Sequence, residues 1–552
     1  MAKQTSSASK LPASTDILIV GAGVAGLYCA YNLLKEKPSR KLTIIERLDR
    51  IGGRLDTDLV KIKDLSGETI DVKEEEGGMR FNQSMVELLA LLQDLDMFEQ
   101  IVPFGSGDDN NYYNVRGRSF TVAESKLNNN AIWSELYDLL PSERNKSPDD
   151  IITAIYHDLV VQNGERVPAN PMPEFWQRFR LDFKYKNIPL NEWGLWALYR
   201  SYGLSQECIN MLADSSGFPA IFFAGIPAGG AYQLLEEFPV NPQFYTLYKG
   251  YESLPLELQK RINAMQKPSP IFLSTEVMSI DTMGGRIIVS ARRGKERVSI
   301  SCSQIILALP ATAIQQLQVN SPVLNAEKNP RSEELQRDVE SVIPLPLCKV
   351  NLYYNQAWWR DQIEGPVPNV ENGGSFTSLP LGSVYAFNPM EAGDGTGPAS
   401  LSIYCDFINA NFWLSLQNIG PMFTSPLQEE HNNTRPQVMF AASEKVVEEA
   451  TKQLKELFQM LSVPRPVLTS FRIWNAEHQF GYAAHRWALF VDDRKVRKSI
   501  ANPVKNLFVC NEAFSDDQGW VNGSLRSCNI ILQKYFGIPP LPPMTDPLPT
   551  GG

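Results

Sequence analysis

The sequence predicts an α/β chain, with mixed β layers and a helical insert, on three observations. Residues 16–54 run as apolar strand, glycine-rich turn, helix and second apolar strand; residues 131–235 carry helical periodicity; and beyond Pro242 the pattern turns to alternating or uniformly apolar runs of β type. With 552 residues, 43% hydrophobic and 21% charged, the chain buries substantial cores and divides into two or more domains. A net charge of −10 with only scattered Lys and Arg argues against nucleic acid or an anionic membrane as partner. No apolar run is long enough to span a bilayer, and residues 1–15 lack the apolar centre of a secretory leader, so a cytoplasmic location is expected. The seven cysteines (29, 208, 302, 348, 405, 510 and 528) include no C-x-x-C pair, which implies reduced, mostly buried thiols. The four histidines (157, 431, 478 and 485) form no ligand pair, and no metal is expected.

The first element is the strand Ile17 to Val20. Gly21, Gly23 and Gly26 follow, and Leu27, Ala30, Leu33 and Leu34 continue a helical face. Gly21 permits the turn, Gly23 lets backbone approach a pyrophosphate, and Gly26 lets the helix lie close to the strand. Phosphates placed there meet a helix N-terminus, whose N–H groups and partial positive charge suit an anion. The second strand, Leu42 to Ile45, ends in Glu46, at the separation expected of a carboxylate that accepts ribose hydroxyls and repels a 2′-phosphate. Three glycines alone are weak evidence, but strand, glycines, helix, strand and acid in this order read as a dinucleotide site. Gly52, Gly53 and Arg54, a surface turn if read alone, extend it.

A mixed region follows residue 57, and the helical region from about 131 to 235 carries Trp133, Trp176, Phe179, Trp193, Trp196 and Tyr199 at spacings of core-facing helix positions. Ile271 to Ile280, Arg286 to Ala291 and Val298 to Leu309 read as β runs joined by Gly-Gly and Gly-Lys turns, an antiparallel layer. After a helix and a polar linker come strands at Lys349 to Tyr354, Ser383 to Phe387 and Ser400 to Phe407, then a helix from Glu444 to Phe458. A buried strand, Leu507 to Val509, the loop Cys510 to Gly519 and a helix from about Val521 to Tyr535 close the fold; the proline-rich tail from Gly537 is expected to be disordered.

Four further segments resemble the flavin-containing amine oxidases, within them the L-amino acid oxidases of the escapin and aplysianin type. They are Glu76-Gly77-Gly78-Met79-Arg80; Lys249-Gly250-Tyr251-Glu252-Ser253-Leu254-Pro255; Cys348-Lys349-Val350-Asn351-Leu352 with Ala357-Trp358-Trp359; and Asn511-Glu512-Ala513 leading to Gly519-Trp520. The likeness runs from Asp16 to about Phe536. It implies a GR2-type, Rossmann-like FAD-binding domain assembled from 16–60, 241–320 and 465–536, a mixed-sheet substrate domain from 61–130 and 321–464, and a helical domain at 131–240. Gly53 and Arg54 would then lie against the FAD pyrophosphate, as such a glycine pair and arginine often do in flavoproteins of the glutathione-reductase type.

The resemblance also assigns roles. Arg80 would fork onto a substrate carboxylate, a task suited to a planar guanidinium; the alternatives are a structural pairing with Glu74 to Glu76, otherwise a solvated run, or a contact to FAD alone. Gly78 and Met79 would border the cofactor, Val277 would offer backbone to adenine, and Lys349 would reach flavin N5 through a water. Tyr385 would supplement the carboxylate clamp, with Phe387 in that place under a shifted alignment. Glu512 would accept from an FAD ribityl or ribose hydroxyl, the Gly519 carbonyl would hold the substrate amine, Trp520 would wall the cavity, and Val521 would open a helix aimed at flavin O2. Asn511 stands where glycine is commoner, which puts the local backbone in question.

The implied activity is FAD-dependent L-amino acid oxidation by hydride transfer to flavin N5, giving 2-oxo acid, ammonia and hydrogen peroxide, with O2 as acceptor. Asp214, Glu236 and Glu237 offer acids for a basic side chain, while an aromatic pocket would select bulky apolar ones; the balance leans to basic or broad specificity. The competing readings are an L-amino acid 2-monooxygenase, a polyamine or monoamine oxidase, and a non-enzymatic flavin-binding protein. Homo-oligomerisation stays open.

Overall fold

The computed structural model describes residues 10–105, 107–169, 171–236, 244–360, 368–387, 397–432, 441–475 and 481–549. Strand Ser14–Val20 is central to the first sheet. It pairs in parallel with Leu42–Ile45 on one side and with the second half of Glu296–Leu307 on the other. Ile271–Phe272 extends the first edge and Leu507–Val509 the second, both parallel. The first half of Glu296–Leu307 instead turns antiparallel to Arg286–Arg293, which pairs with Thr275–Met283.

The alternation of side chains along a strand assigns the two faces of this sheet. Ile17 and Ile19 join one apolar nucleus with the helices Val24–Glu36, Ser253–Met265 and Val521–Phe536. Leu18 and Val20 join another with Ile287, Val289, Ile300 and the helix Ala311–Asn320. Both faces are covered, which is why the strand reads as an uninterrupted apolar run. The expected antiparallel layer is present, with one difference: Ile271 to Ile280 is two strands. Ser274 takes φ +51° and breaks the run, so its first part joins the parallel edge and its second the antiparallel layer.

A second sheet orders Leu468–Trp474, Leu347–Tyr354, Ala399–Cys405, Ser383–Phe387, Gly373–Thr377, Tyr112–Val115 and Arg118–Thr121. Trp413 and the apolar face of the helix Glu444–Leu457 cover it with Val446, Val447 and Leu454. The third strand stops at Cys405 rather than Phe407 because the Asp406 carboxylate accepts from the Ile408 N–H and caps a new helix. Between 127 and 236 the chain is largely helical, and Trp133, Trp176, Phe179 and Tyr199 meet in its nucleus. Trp196 does not: it is 44% exposed, with its indole N–H donating to Gln206.

The tail also departs from expectation. Ile538 is buried in the nucleus of the first and last helices, and Leu541, Met544 and Leu548 pack against it. Apolar residues interleaved with the prolines give residues 538–548 a surface to bury, and the Thr545 N–H donates to Gln93. Among the described residues, no helix is long and apolar enough to cross a membrane.

Candidate active site

Two glycines of the first turn, Gly21 and Gly26, each answer to a close contact. Gly21 has φ +103°, and a Cβ there would stand 2.6 Å from the Ala308 carbonyl oxygen. A Cβ on Gly26 would stand 1.9 Å from the Gly21 carbonyl oxygen, and one on Gly53 would stand 3.2 Å from Gly23 Cα. Gly23 is the N-cap of helix Val24–Glu36 and supplies no capping side chain, so the first N–H groups of the helix face a cradle free of Cβ atoms. That arrangement fits a pyrophosphate. Glu46 closes the second strand as expected, its carboxylate accepting from the Ala22 and Leu48 N–H groups at 2.8 and 2.9 Å.

From this turn a line of contacts leads to Arg80. Gly23 bridges to Gly52, and the next residue but one, Arg54, accepts at its carbonyl from the Gly78 N–H at 3.0 Å. The Arg54 guanidinium donates to Glu512 at 2.7 Å. Glu512 also accepts from the Gly519 N–H at 2.8 Å and from the backbone N–H of His485 at 3.0 Å. Burial opposes its charge, but Arg54 and His485 hold the carboxyl well below the usual range. Asn511 resolves the question its identity raised: its backbone is extended, and its side chain accepts from the Ala513 N–H and donates to the Leu309 carbonyl. Gly519 has φ +91°, and a Cβ there would press on the Arg486 guanidinium at 3.1 Å. Trp520 N-caps the helix beginning at Val521.

Arg80 is buried, 7% exposed, in a box of aromatic rings. Its guanidinium lies 4.6 Å from the Phe244 ring centroid and 5.3 Å from those of Phe104 and Tyr385, and it donates to the Tyr385 hydroxyl at 3.3 Å. Met79, Phe104, Phe244 and Tyr385 form one small nucleus, flanked by Tyr404 and Trp520. Tyr385 thus stands beside Arg80. Phe104 and Phe244 were not legible as site residues; they face each other across a short antiparallel pair, Ile101–Phe104 with Phe244–Leu247, that no motif announces. Val277 stands apart from this line, on the antiparallel layer opposite Ala291, at a register irregularity.

Lys349 is fully enclosed, on the strand face expected of it. Its ammonium donates to the Glu75 and Gly77 carbonyls at 2.7 and 2.8 Å and contacts Met79 Sδ at 3.6 Å, so it pins the segment that carries Arg80. Burial lowers it to about 8, against the opposing pull of Glu74, Glu75 and Glu76. Those three acids are not solvated. They are 1%, 4% and 1% exposed, because the strand Thr69–Glu75 runs beneath the second sheet. Glu74 accepts from Ser400, Glu75 from the Thr57 hydroxyl and the Tyr251 N–H, and Glu76 from Asn351 and Ser470. Asp214, offered by sequence for a basic substrate, accepts from the Tyr137 hydroxyl at 2.7 Å among the helices; Glu236 ends the helix Ala228–Glu236, and Glu237 lies outside the described residues.

Burial raises Glu75 from 4.5 to about 7, against the lowering effect of Lys73 and the Thr57 hydroxyl. The folded protein then keeps a proton that the unfolded chain releases near 4.5, so this group's contribution is complete below that pH and is lost as pH rises through about 7. Glu75→Gln, neutral throughout, should shrink the fall in Tm between acid and mildly alkaline buffer. Equal falls in variant and wild type would contradict the proton assignment.

The sequence matches the family described as flavin containing amine oxidoreductase over residues 24–529. It is 24% identical to an uncharacterized protein of Acanthamoeba polyphaga mimivirus, over 95% of this chain and 94% of that one. It is 22% identical to achacin of Lissachatina fulica, over 95% and 93%. Among solved structures, putrescine oxidase bound to putrescine superposes with a TM-score of 0.63 at 17% identity, over 95% of this chain and 99% of the other. Cyclohexylamine oxidase from Brevibacterium oxydans gives 0.57 at 14%, over 93% and 97%. FAD is thus the cofactor, and the chain belongs to the flavin-containing amine oxidoreductases.

Proposed function

We propose that the protein is an L-amino acid oxidase. The observation that carries this reading is Arg80, a guanidinium buried among ring faces and bonded to the Tyr385 hydroxyl, on the segment that Arg54 and Lys349 fasten to the dinucleotide turn. A fixed guanidinium of this kind suits a carboxylate, a group that a simple amine does not carry. Arg80 and Tyr385 would hold the carboxylate, the Gly519 carbonyl would accept from the neutral amine, and Trp520 with Phe244 would wall the substrate and fix its orientation. No strong protein base is required; partial desolvation favours the uncharged amine. FAD, held at the glycine turn, would supply the two-electron acceptor and its reoxidation by O2 to hydrogen peroxide. The imino acid released hydrolyses to 2-oxo acid and ammonia.

Lys349 acts here as a positioning residue, holding the backbone next to Gly78 and Arg80, and a water that displaces the weak Met79 sulfur contact would restore the water-bridging role that the family resemblance implies. The rings of Phe104, Phe244, Tyr385 and Tyr404 favour a bulky apolar side chain over the basic one toward which the sequence leaned. The domain partition given above remains part of this proposal.

The second reading, oxidation of a monoamine or polyamine, is supported by the fold shared with putrescine oxidase and cyclohexylamine oxidase. The two separate in an anaerobic screen of L-amino acids and the amines formed by their decarboxylation. We expect the flavin to bleach with an amino acid and not with its amine. Bleaching by amines alone would transfer the protein to the second reading, and an O2 and CO2 balance would expose a decarboxylating monooxygenase.

A further inference from the structure

Three of the seven cysteines, remote in sequence, converge in space. Cys29 lies in helix Val24–Glu36, Cys510 follows the strand Leu507–Val509 at the mouth of the loop to Glu512, and Cys528 lies in the helix Val521–Phe536. All three are enclosed in the apolar nucleus of the first and last helices. Their Sγ atoms lie within 4.8 Å of one another, with Cys29 and Cys510 at 3.8 Å. We propose that Cys29, Cys510 and Cys528 form a three-sulfur site for a monovalent soft cation of the Cu(I) class.

Geometry separates this from the other things three thiols can do. A cation with metal–sulfur bonds of about 2.3 Å, centred among three sulfurs, places them about 4 Å apart; here one pair stands at 3.8 Å and all three lie within 4.8 Å. A disulfide requires about 2.05 Å, so Cys29 and Cys510 would have to close by more than an ångström and a half, and it would leave the third thiol over. Ligand chemistry narrows the cation. Thiolates select soft ions, and ions that prefer four ligands need a further donor. Among the described residues, no histidine or carboxylate joins the three sulfurs.

The Cys528 thiol also donates to the Ala25 carbonyl at 3.4 Å. Because the sulfurs come from the helix behind the dinucleotide turn, the strand before the Glu512 loop and the final helix, a bound ion would staple the segments that assemble the FAD site.

The enclosed position means that the ion enters as the chain folds, so the test uses holoenzyme purified from cells grown with added copper and washed with a copper chelator. Elemental mass spectrometry should find about one copper per chain, and X-ray absorption should find sulfur neighbours only. Cys29→Ala and Cys528→Ala should each retain less than about a tenth of that copper, with flavin content at the wild-type level as the check on folding. The proposal fails if wild type carries no copper, if either variant keeps it, if nitrogen or oxygen neighbours appear, or if the intact mass is lower by two hydrogens, the mark of a disulfide. Should a variant lose its flavin, the wild-type copper content and absorption spectrum decide the matter alone.

Discussion

Arg80→Ala should lower kcat/KM for an L-amino acid by roughly three orders of magnitude while the purified enzyme stays fully flavinated. Truncating one partner of a buried, hydrogen-bonded charge pair costs about 2–5 kcal/mol, and each 1.36 kcal/mol is about a factor of ten in an equilibrium. The loss falls on substrate capture because Arg80 would hold the carboxylate, away from the bond that breaks. Arg80→Lys should recover only part of it. An ammonium keeps the charge but not the planar fork, and it cannot occupy the plane that the guanidinium takes among Phe104, Phe244 and Tyr385. Steady-state kinetics beside flavin absorbance read both outcomes. An unchanged kcat/KM in Arg80→Ala would remove the carboxylate clamp, and with it the choice of amino acids as substrates.

Gly26→Ala should give protein that has lost most of its flavin. The new methyl would stand 1.9 Å from a backbone oxygen, that of Gly21, and 3.3 Å from an Ile19 side-chain carbon. A backbone carbonyl cannot rotate aside as a side chain can, so the helix must move off the strand or the turn at Gly21 must open. Overpacking of this kind costs about 1–3 kcal/mol even where side chains yield. Here the displaced atoms are those that would cradle the pyrophosphate. The control is Gly230→Ala, in the helix Ala228–Glu236, where nothing lies within 4 Å of the added carbon. That change should be neutral or slightly stabilising, since alanine is the better helix former. The ratio of flavin to protein absorbance, measured on both variants, tests the pair; equal ratios would mean that the turn tolerates a wider gap than its contacts imply.

What was legible in the sequence was whatever depends on neighbours along the chain. The dinucleotide turn is such a feature, because strand, glycines, helix and Glu46 fall within one local run. The strand face shared by Lys349 and Asn351 follows from period two alone. Tyr385 was placed by motif, and it does meet Arg80. Illegible were the features made by distant segments. Glu74 to Glu76 look like a solvated run until Ser400, Asn351 and Ser470 arrive from the second sheet to receive them. Phe104 and Phe244 become site residues only when two short strands pair. The proline-rich tail packs because Ile538 meets a nucleus formed by the first helix and the last. The three converging thiols fall in the same class, since 481 residues separate Cys29 from Cys510.

The central position of Ser14–Val20 in its sheet bears on how the protein is made. Its neighbours come from residues 42–45 and 296–307, and the last parallel strand only from 507–509. During synthesis, therefore, one side of this strand waits until residues 301–307 have left the ribosome, and the nucleus beneath it waits for the helix Val521–Phe536. Over that interval one edge of an adhesive apolar strand and much of its face have no native cover, and chains in this condition are prone to aggregate. Expression of this protein should accordingly respond more to chaperone supply and to lowered temperature than a domain of similar size whose strands pair in the order of their synthesis.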